Sequence, residues 1–120
     1  MNKPKNTGLI RWYKALCYSS KGLRAAWLNE AAFRQETMAA ALLIPVALWL
    51  PVTKLEQIAL IASVVLVMVV ELLNSSVEAV VDRIGAEHHE LAGRAKDMGS
   101  AAVLLCLILW AYIWISILFF

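Results

Sequence analysis

Met98 to Phe120 is a run of 23 residues without a charged side chain. About 20 apolar residues in an α-helix cross the hydrocarbon core of a bilayer. Two more apolar runs precede it. Thr37 to Thr53 holds 17 uncharged residues, and Ile58 to Val70 is uncharged and strongly apolar. In a chain of 120 residues that is 62% hydrophobic, with a mean hydropathy of +0.70, three spans leave room for little else. That is too apolar for a soluble domain of this size. The expected fold is therefore an all-α membrane protein forming one integral membrane domain over 1–120. It has transmembrane helices at 31–52, 55–81 and 96–119 and an N-terminal amphipathic surface helix over about 8–28.

The surface helix follows from side-chain spacing. Leu9, Trp12, Leu16, Leu23 and Trp27 gather on one side at helical spacing, and Arg11, Lys14 and Lys21 on the other. Such a helix lies in the interface, apolar face down and basic face toward anionic headgroups. The bland alternative is a helix packed on the protein's own spans. Residues 1–7 are polar and expected to fray, and Gly22 is a possible bend. Pro45 is expected to kink the first span, which Trp49 and Pro51 end. Val52 to Gln57 reads as a tight connection and Asp82 to Gly93 as a polar loop. Trp110 and Trp114 read as lipid or interface anchors.

Charge placement sets the orientation. The N-terminal segment and the 82–97 region hold ten of the eleven Lys and Arg, and only Lys54 lies elsewhere. The positive-inside rule puts the N-terminus and the 82–97 region in the cytoplasm and the C-terminus outside. No cleavable signal is apparent. Cys17 and Cys106 lack metal or redox spacing and read as packing residues. Small residues at Ala39–Ala41 and Gly99–Ala102 allow close helix approach.

The second span carries acids where a membrane helix should not. Glu71, Asn74, Glu78 and Asp82 follow one another at +3, +4 and +4 and share a helical face. An Asp at a helix centre costs roughly 2.5–3.5 kcal/mol on insertion scales, so buried acids mark a functional site by default. The alternative is structural pairing with Arg34, Arg83 or Arg94. It is weak for Glu71, which has no basic residue within two turns on its own helix, and even for Asp82, beside Arg83. Three short helices bury few carboxylates alone, which favours a homo-oligomer.

Glu71 and Glu78 lie two turns apart, about 10 Å along the axis, and cannot grip one atom. Carboxylates with an amide are oxygen donors, which suit Mg²⁺ rather than zinc, and magnesium usually sits with phosphates. Arg94, Lys96 and Asp97 lie at the cytoplasmic mouth of the third span, and Asn29, Glu30, Arg34 and Glu36 at that of the first. A cation, a polyphosphate and a lipid headgroup can meet there. The shallow acids Glu78 and Glu30 suit a metal, and the deeper Glu71 suits a general base for a hydroxyl arriving from the membrane. Gly93 to Ser100 is no P-loop, since no Lys precedes the Ser and no strand precedes the segment, and no protein-kinase catalytic loop is present. His88-His89-Glu90 is better read as a solvated loop or a nucleotide contact than as zinc ligands.

Glu71-x-x-Asn-Ser-Ser-Val-Glu-x-x-Val-Asp82 resembles the signature of the bacterial diacylglycerol kinases, small integral membrane enzymes. Lys21 to Glu36 and Glu90 to Val103 are similar to that family's segments too, so the resemblance covers nearly the whole chain. It implies a homotrimer in the bacterial inner membrane. Its active sites are shared between subunits, and MgATP phosphorylates diacylglycerol to phosphatidic acid, with Mg²⁺ as cofactor and no nucleic-acid partner. Position by position it implies Glu71 as catalytic base and Glu30 and Glu78 as metal ligands. Arg11, Ser19, Asn74, Gly85, His89, Lys96 and Asp97 become nucleotide or phosphate contacts, and Glu36 and Trp114 lipid-substrate contacts. Ser20 and His88 depart from the family's aromatic and Tyr, which bears on packing at the nucleotide edge. Undecaprenol kinase, a relative with the same core motif, is the alternative enzyme. A small oligomeric ion or proton channel is the alternative outside enzymes, though it would not need the polar cytoplasmic segments.

Overall fold

The computed structural model describes residues 7–85 and 89–120. The chain forms four helices: α1 Gly8–Asn29, α2 Ala31–Trp49, α3 Lys54–Ile84 and α4 Glu90–Phe119. The last three are long and apolar enough to cross a membrane. The all-helical expectation and the count of spans are thus met. The polar loop expected over 82–93 is shorter, because α3 runs on to Ile84 and α4 begins at Glu90. Charged residues there extend the helices beyond their apolar parts. His88, with the zinc reading that rested on it, and the first six residues lie outside the described residues.

Two local devices set the helix ends. Thr53 and Glu56 form a reciprocal capping box at the start of α3. The Glu56 N–H donates to Thr53 Oγ1 at 3.1 Å, and the Thr53 N–H donates to Glu56 Oε1 at 2.9 Å. Gln57 Nε2 reaches back to the Ala47 and Leu48 carbonyls, both at 3.4 Å, and ties the end of α2 to α3. At the α1–α2 junction Glu30 is extended, with φ −119° and ψ 105°. Arg34 Nη1 donates to the carbonyl oxygens of Trp27 at 2.8 Å and Leu28 at 3.3 Å, which satisfies orphan acceptors at the end of α1. Pro45 lies inside α2, and α1 runs unbroken through Gly22.

α3 is the central element and packs against both α2 and α4. Its buried positions, Leu60, Ser63, Val64, Val67 and Glu71, form one stripe at helical spacing. Leu60 and Val64 meet Ala40 and Ala47 of α2 and Trp114 of α4. Trp114 requires a correction. A belt aromatic should face outward, yet this indole is 7% exposed. Its Nε1–H is shared between the Leu60 carbonyl at 3.2 Å and Ser63 Oγ at 3.1 Å, because an indole N–H must find a partner away from water. Trp114 is thus an α3–α4 clamp. The apolar side chains Leu9, Trp12, Leu16, Leu23 and Trp27 of α1 are exposed rather than packed on the chain's own spans. That excludes the bland alternative within one chain and suits a helix in the interface.

Candidate active site

The buried stripe of α3 ends in a carboxylic acid. Glu71 occupies the position after Val67 and is 6% exposed. Three basic residues that could have neutralised it are engaged elsewhere. Arg34 caps α1, Arg94 Nη2 lies 3.8 Å from Glu90 Oε1, and Lys96 Nζ lies 2.7 Å from Asp82 Oδ1. Glu71 lies within electrostatic reach of Glu78 and Glu30, and Glu36 within reach of Glu71. Three other carboxylates from three parts of the chain therefore lie within electrostatic reach of Glu71, with Glu78 two turns from it along α3.

Asn74, one turn from Glu71, bridges this set. Its Nδ2 donates to Glu78 Oε1 at 3.4 Å. Its Oδ1 is buried and has no hydrogen-bond partner among the described residues. Lys96, from α4, reaches the same face of α3, paired with Asp82 and within electrostatic reach of Glu78. The extended Glu30 brings the α1–α2 junction within electrostatic reach of Glu71 on α3, while Lys96 of α4 meets α3 about three turns farther along, at Asp82. Among the described residues no three His, Cys, Asp or Glu side chains form a ready metal cage. The acids instead offer separated oxygen donors, the pattern that suits a magnesium ion sharing its sphere with phosphates and waters.

The remaining expected residues fall into distinct places. Ser19 and Glu30 rim a groove of ≈ 680 Å³ between α1 and α3, floored by Ala26, Leu72, Ser76 and Ala79. Glu36 projects into a smaller pocket of ≈ 90 Å³ with Val64, Val67 and Trp110, where its Oε2 is buried without a partner among the described residues. Gly85 and His89 face one pocket of ≈ 430 Å³ at the α3–α4 connection. His89 Nδ1 there accepts the Leu91 N–H at 3.0 Å and caps α4, a role unread in the sequence because His is not among the preferred N-cap residues. Arg11 is exposed on α1. Asp97 is separated from the others. It lines a hollow of ≈ 590 Å³ with Glu90, Arg94, Met98 and Ala101, on a face of α4 turned away from the Lys96 contact with α3. Sequence reasoning passed over the Lys96–Asp82 pair and the close approach of Gly99 to Asn74.

The sequence model of the prokaryotic diacylglycerol kinase family matches residues 17–118. The chain belongs to that family. It is 60% identical to the diacylglycerol kinase of Escherichia coli K12 over 112 residues, covering 93% of this chain and 92% of that one. The diacylglycerol kinase of Haemophilus influenzae is 53% identical over 116 residues, with 97% and 98% covered. That of Pseudomonas aeruginosa is 47% identical over 112 residues, with 93% and 91% covered. The family match takes in Ser19, Glu30, Glu36 and the whole of α3, and begins after Arg11.

Proposed function

We propose that this chain is a membrane lipid kinase that transfers the γ-phosphoryl group of ATP to the hydroxyl of diacylglycerol, giving phosphatidic acid and ADP. The observation that carries the reading is the buried Glu71, set among Glu30, Glu36 and Glu78 and close to the apolar groove between α1 and α3. A proton acceptor at membrane depth beside an apolar groove suits an alcohol that arrives from the lipid phase.

Glu71 takes the proton of the lipid hydroxyl as its oxygen attacks the γ-phosphorus, and the bond from that phosphorus to the bridging oxygen breaks, releasing ADP. Glu36, with an unmatched carboxyl oxygen, holds the lipid's polar head by accepting a hydrogen bond. Asn74 and Lys96 hold phosphate oxygens, with Arg11 and Ser19 closing from α1 and Gly85 and His89 at the nucleotide's edge. Glu30 and Glu78 would hold Mg²⁺, which supplies charge neutralisation on the phosphates when bound. Trp114 takes no part in lipid binding, because its ring and N–H are used within the α3–α4 core.

The active form is a homotrimer in a bacterial inner membrane, with the N-terminus and the α3–α4 connection in the cytoplasm. Asp97 supports sharing between subunits: it lines a hollow with Glu90 and Arg94 that none of Glu30, Glu71 and Glu78 of its own chain lines, so it serves the nucleotide held by a neighbour. Incubating the purified protein in mixed micelles with γ-labelled ATP, diacylglycerol and undecaprenol tests the reading. Labelled phosphatidate is expected. Label in polyprenyl phosphate or in no lipid would overturn it.

A further inference from the structure

We infer that Gly99 is a positioning residue for the phosphoryl-transfer site, holding the Asn74 carboxamide toward Glu78 by having no side chain of its own. A Cβ built at Gly99 collides with Asn74 Oδ1 and lies 3.1 Å from Asn74 Cγ. Nothing else comes so near it, so the conflict is confined to one carboxamide. Asn74 Oδ1 is buried against α4 at this point, and its partner atom Nδ2 points back along α3 to Glu78 Oε1 at 3.4 Å. One end of the amide thus abuts α4 without a hydrogen bond among the described residues, and the other bonds along α3. Gly99 closes off one end, and the acid takes the other.

The consequence is specific. The far end of Asn74 can swing, so a methyl group at Gly99 does not force α3 and α4 apart. It rotates the carboxamide about its side-chain torsions, away from the Glu78 direction. Gly99 touches no reacting atom and acts only through Asn74. The inference rests on reading Asn74 as a nucleotide contact under the proposed function. It adds a residue on α4 that sets where that contact points.

The test is a double-mutant cycle with Gly99→Ala, Asn74→Ala and the pair together, read as KM for MgATP, KM for diacylglycerol and kcat. Thermal unfolding with and without MgATP is measured alongside. Gly99→Ala is expected to raise the KM for MgATP by roughly tenfold, as expected for loss of a hydrogen bond to a charged group. The KM for diacylglycerol should stay unchanged and the protection by MgATP should weaken. Asn74→Ala is expected to do the same, and the double variant to be no worse than Asn74→Ala alone. Losses that multiply in the double variant, or an unaltered KM for MgATP in Gly99→Ala, would overturn the inference. Should Gly99→Ala fail to fold, Asn74→Ala in that background removes the colliding atom and must restore folding. Persistent misfolding would show that Gly99 answers to something other than Asn74. A wild-type chain that phosphorylates no lipid would sink the proposed function itself, an outcome distinct from an active enzyme indifferent to Gly99→Ala.

Discussion

Replacing Trp114 by Phe separates a structural tryptophan from a lipid-binding one. The substitution removes the Nε1–H that is shared between the Leu60 carbonyl at 3.2 Å and Ser63 Oγ at 3.1 Å. Side-chain hydrogen bonds between membrane helices average about 0.6 kcal/mol and reach about 1.7. The smaller ring leaves a void on the order of 40 Å³, which at about 24 cal/mol per Å³ adds about 1 kcal/mol. No acceptor is stranded, because Ser63 Oγ still donates to the Leu60 carbonyl at 2.8 Å. The sum is a loss of roughly 1.5–2.5 kcal/mol. Equilibrium unfolding in mixed detergent micelles reads it directly. Ser63→Ala, which removes only one of the two acceptors, should cost about 0.5–1 kcal/mol. Ser63 lies about 12 Å along α3 from Glu71, so turnover of the folded fraction and the KM for diacylglycerol should not change. Unaltered stability together with a shifted KM for diacylglycerol would refute the clamp and return Trp114 to the substrate site.

Two further outcomes follow from the acids. Glu78→Gln should raise the Mg²⁺ concentration needed for half-maximal activity, with partial rescue by excess Mg²⁺, and an unchanged titration would make Glu78 structural. Mixing a Glu71→Gln chain with an Asp97→Asn chain, each inactive alone, should restore activity if Asp97 serves a neighbour's site. Recovery of nothing would place each whole site within one subunit.

The parts of this fold that were legible in the sequence are those governed by local rules. Three uncharged runs announce three spans, and the +3, +4, +4 spacing from Glu71 to Asp82 puts those residues on one face whatever the tertiary structure. The direction in which that face points was not legible, and neither was the direction of Trp114. From Met98 onward α4 is uncharged and apolar on every side, so its pattern carries no contrast between lipid and core. The partner of Asp82 was hidden for a related reason. Arg83 is its neighbour in sequence but points to another side of the helix, and the ion pair is made to Lys96 across α3 and α4. Such a pair depends on the register of two packed helices, which no single-helix pattern encodes. The Gly99–Asn74 approach is of the same kind, although Gly99–Ala102 had already been noted as a place where helices could draw close. Charge placement put Glu30 and Glu36 at the cytoplasmic mouth of the first span, but their nearness to Glu71 comes from the extended Glu30 and from α2 packing on α3.

The role of the buried acid on α3 is most directly tested by one comparison: label transfer from γ-labelled ATP to diacylglycerol by the wild-type chain and by Glu71→Gln in the same micelles. Gln keeps the shape of the side chain and loses its ability to accept the hydroxyl proton. Formation of labelled phosphatidate should fall by about two to four orders of magnitude, the range associated with a general base. MgATP should still raise the thermal unfolding temperature of the variant, since Glu71 is not a nucleotide contact. Near-normal label transfer by Glu71→Gln would contradict its role as the base and move the chemistry elsewhere on the protein.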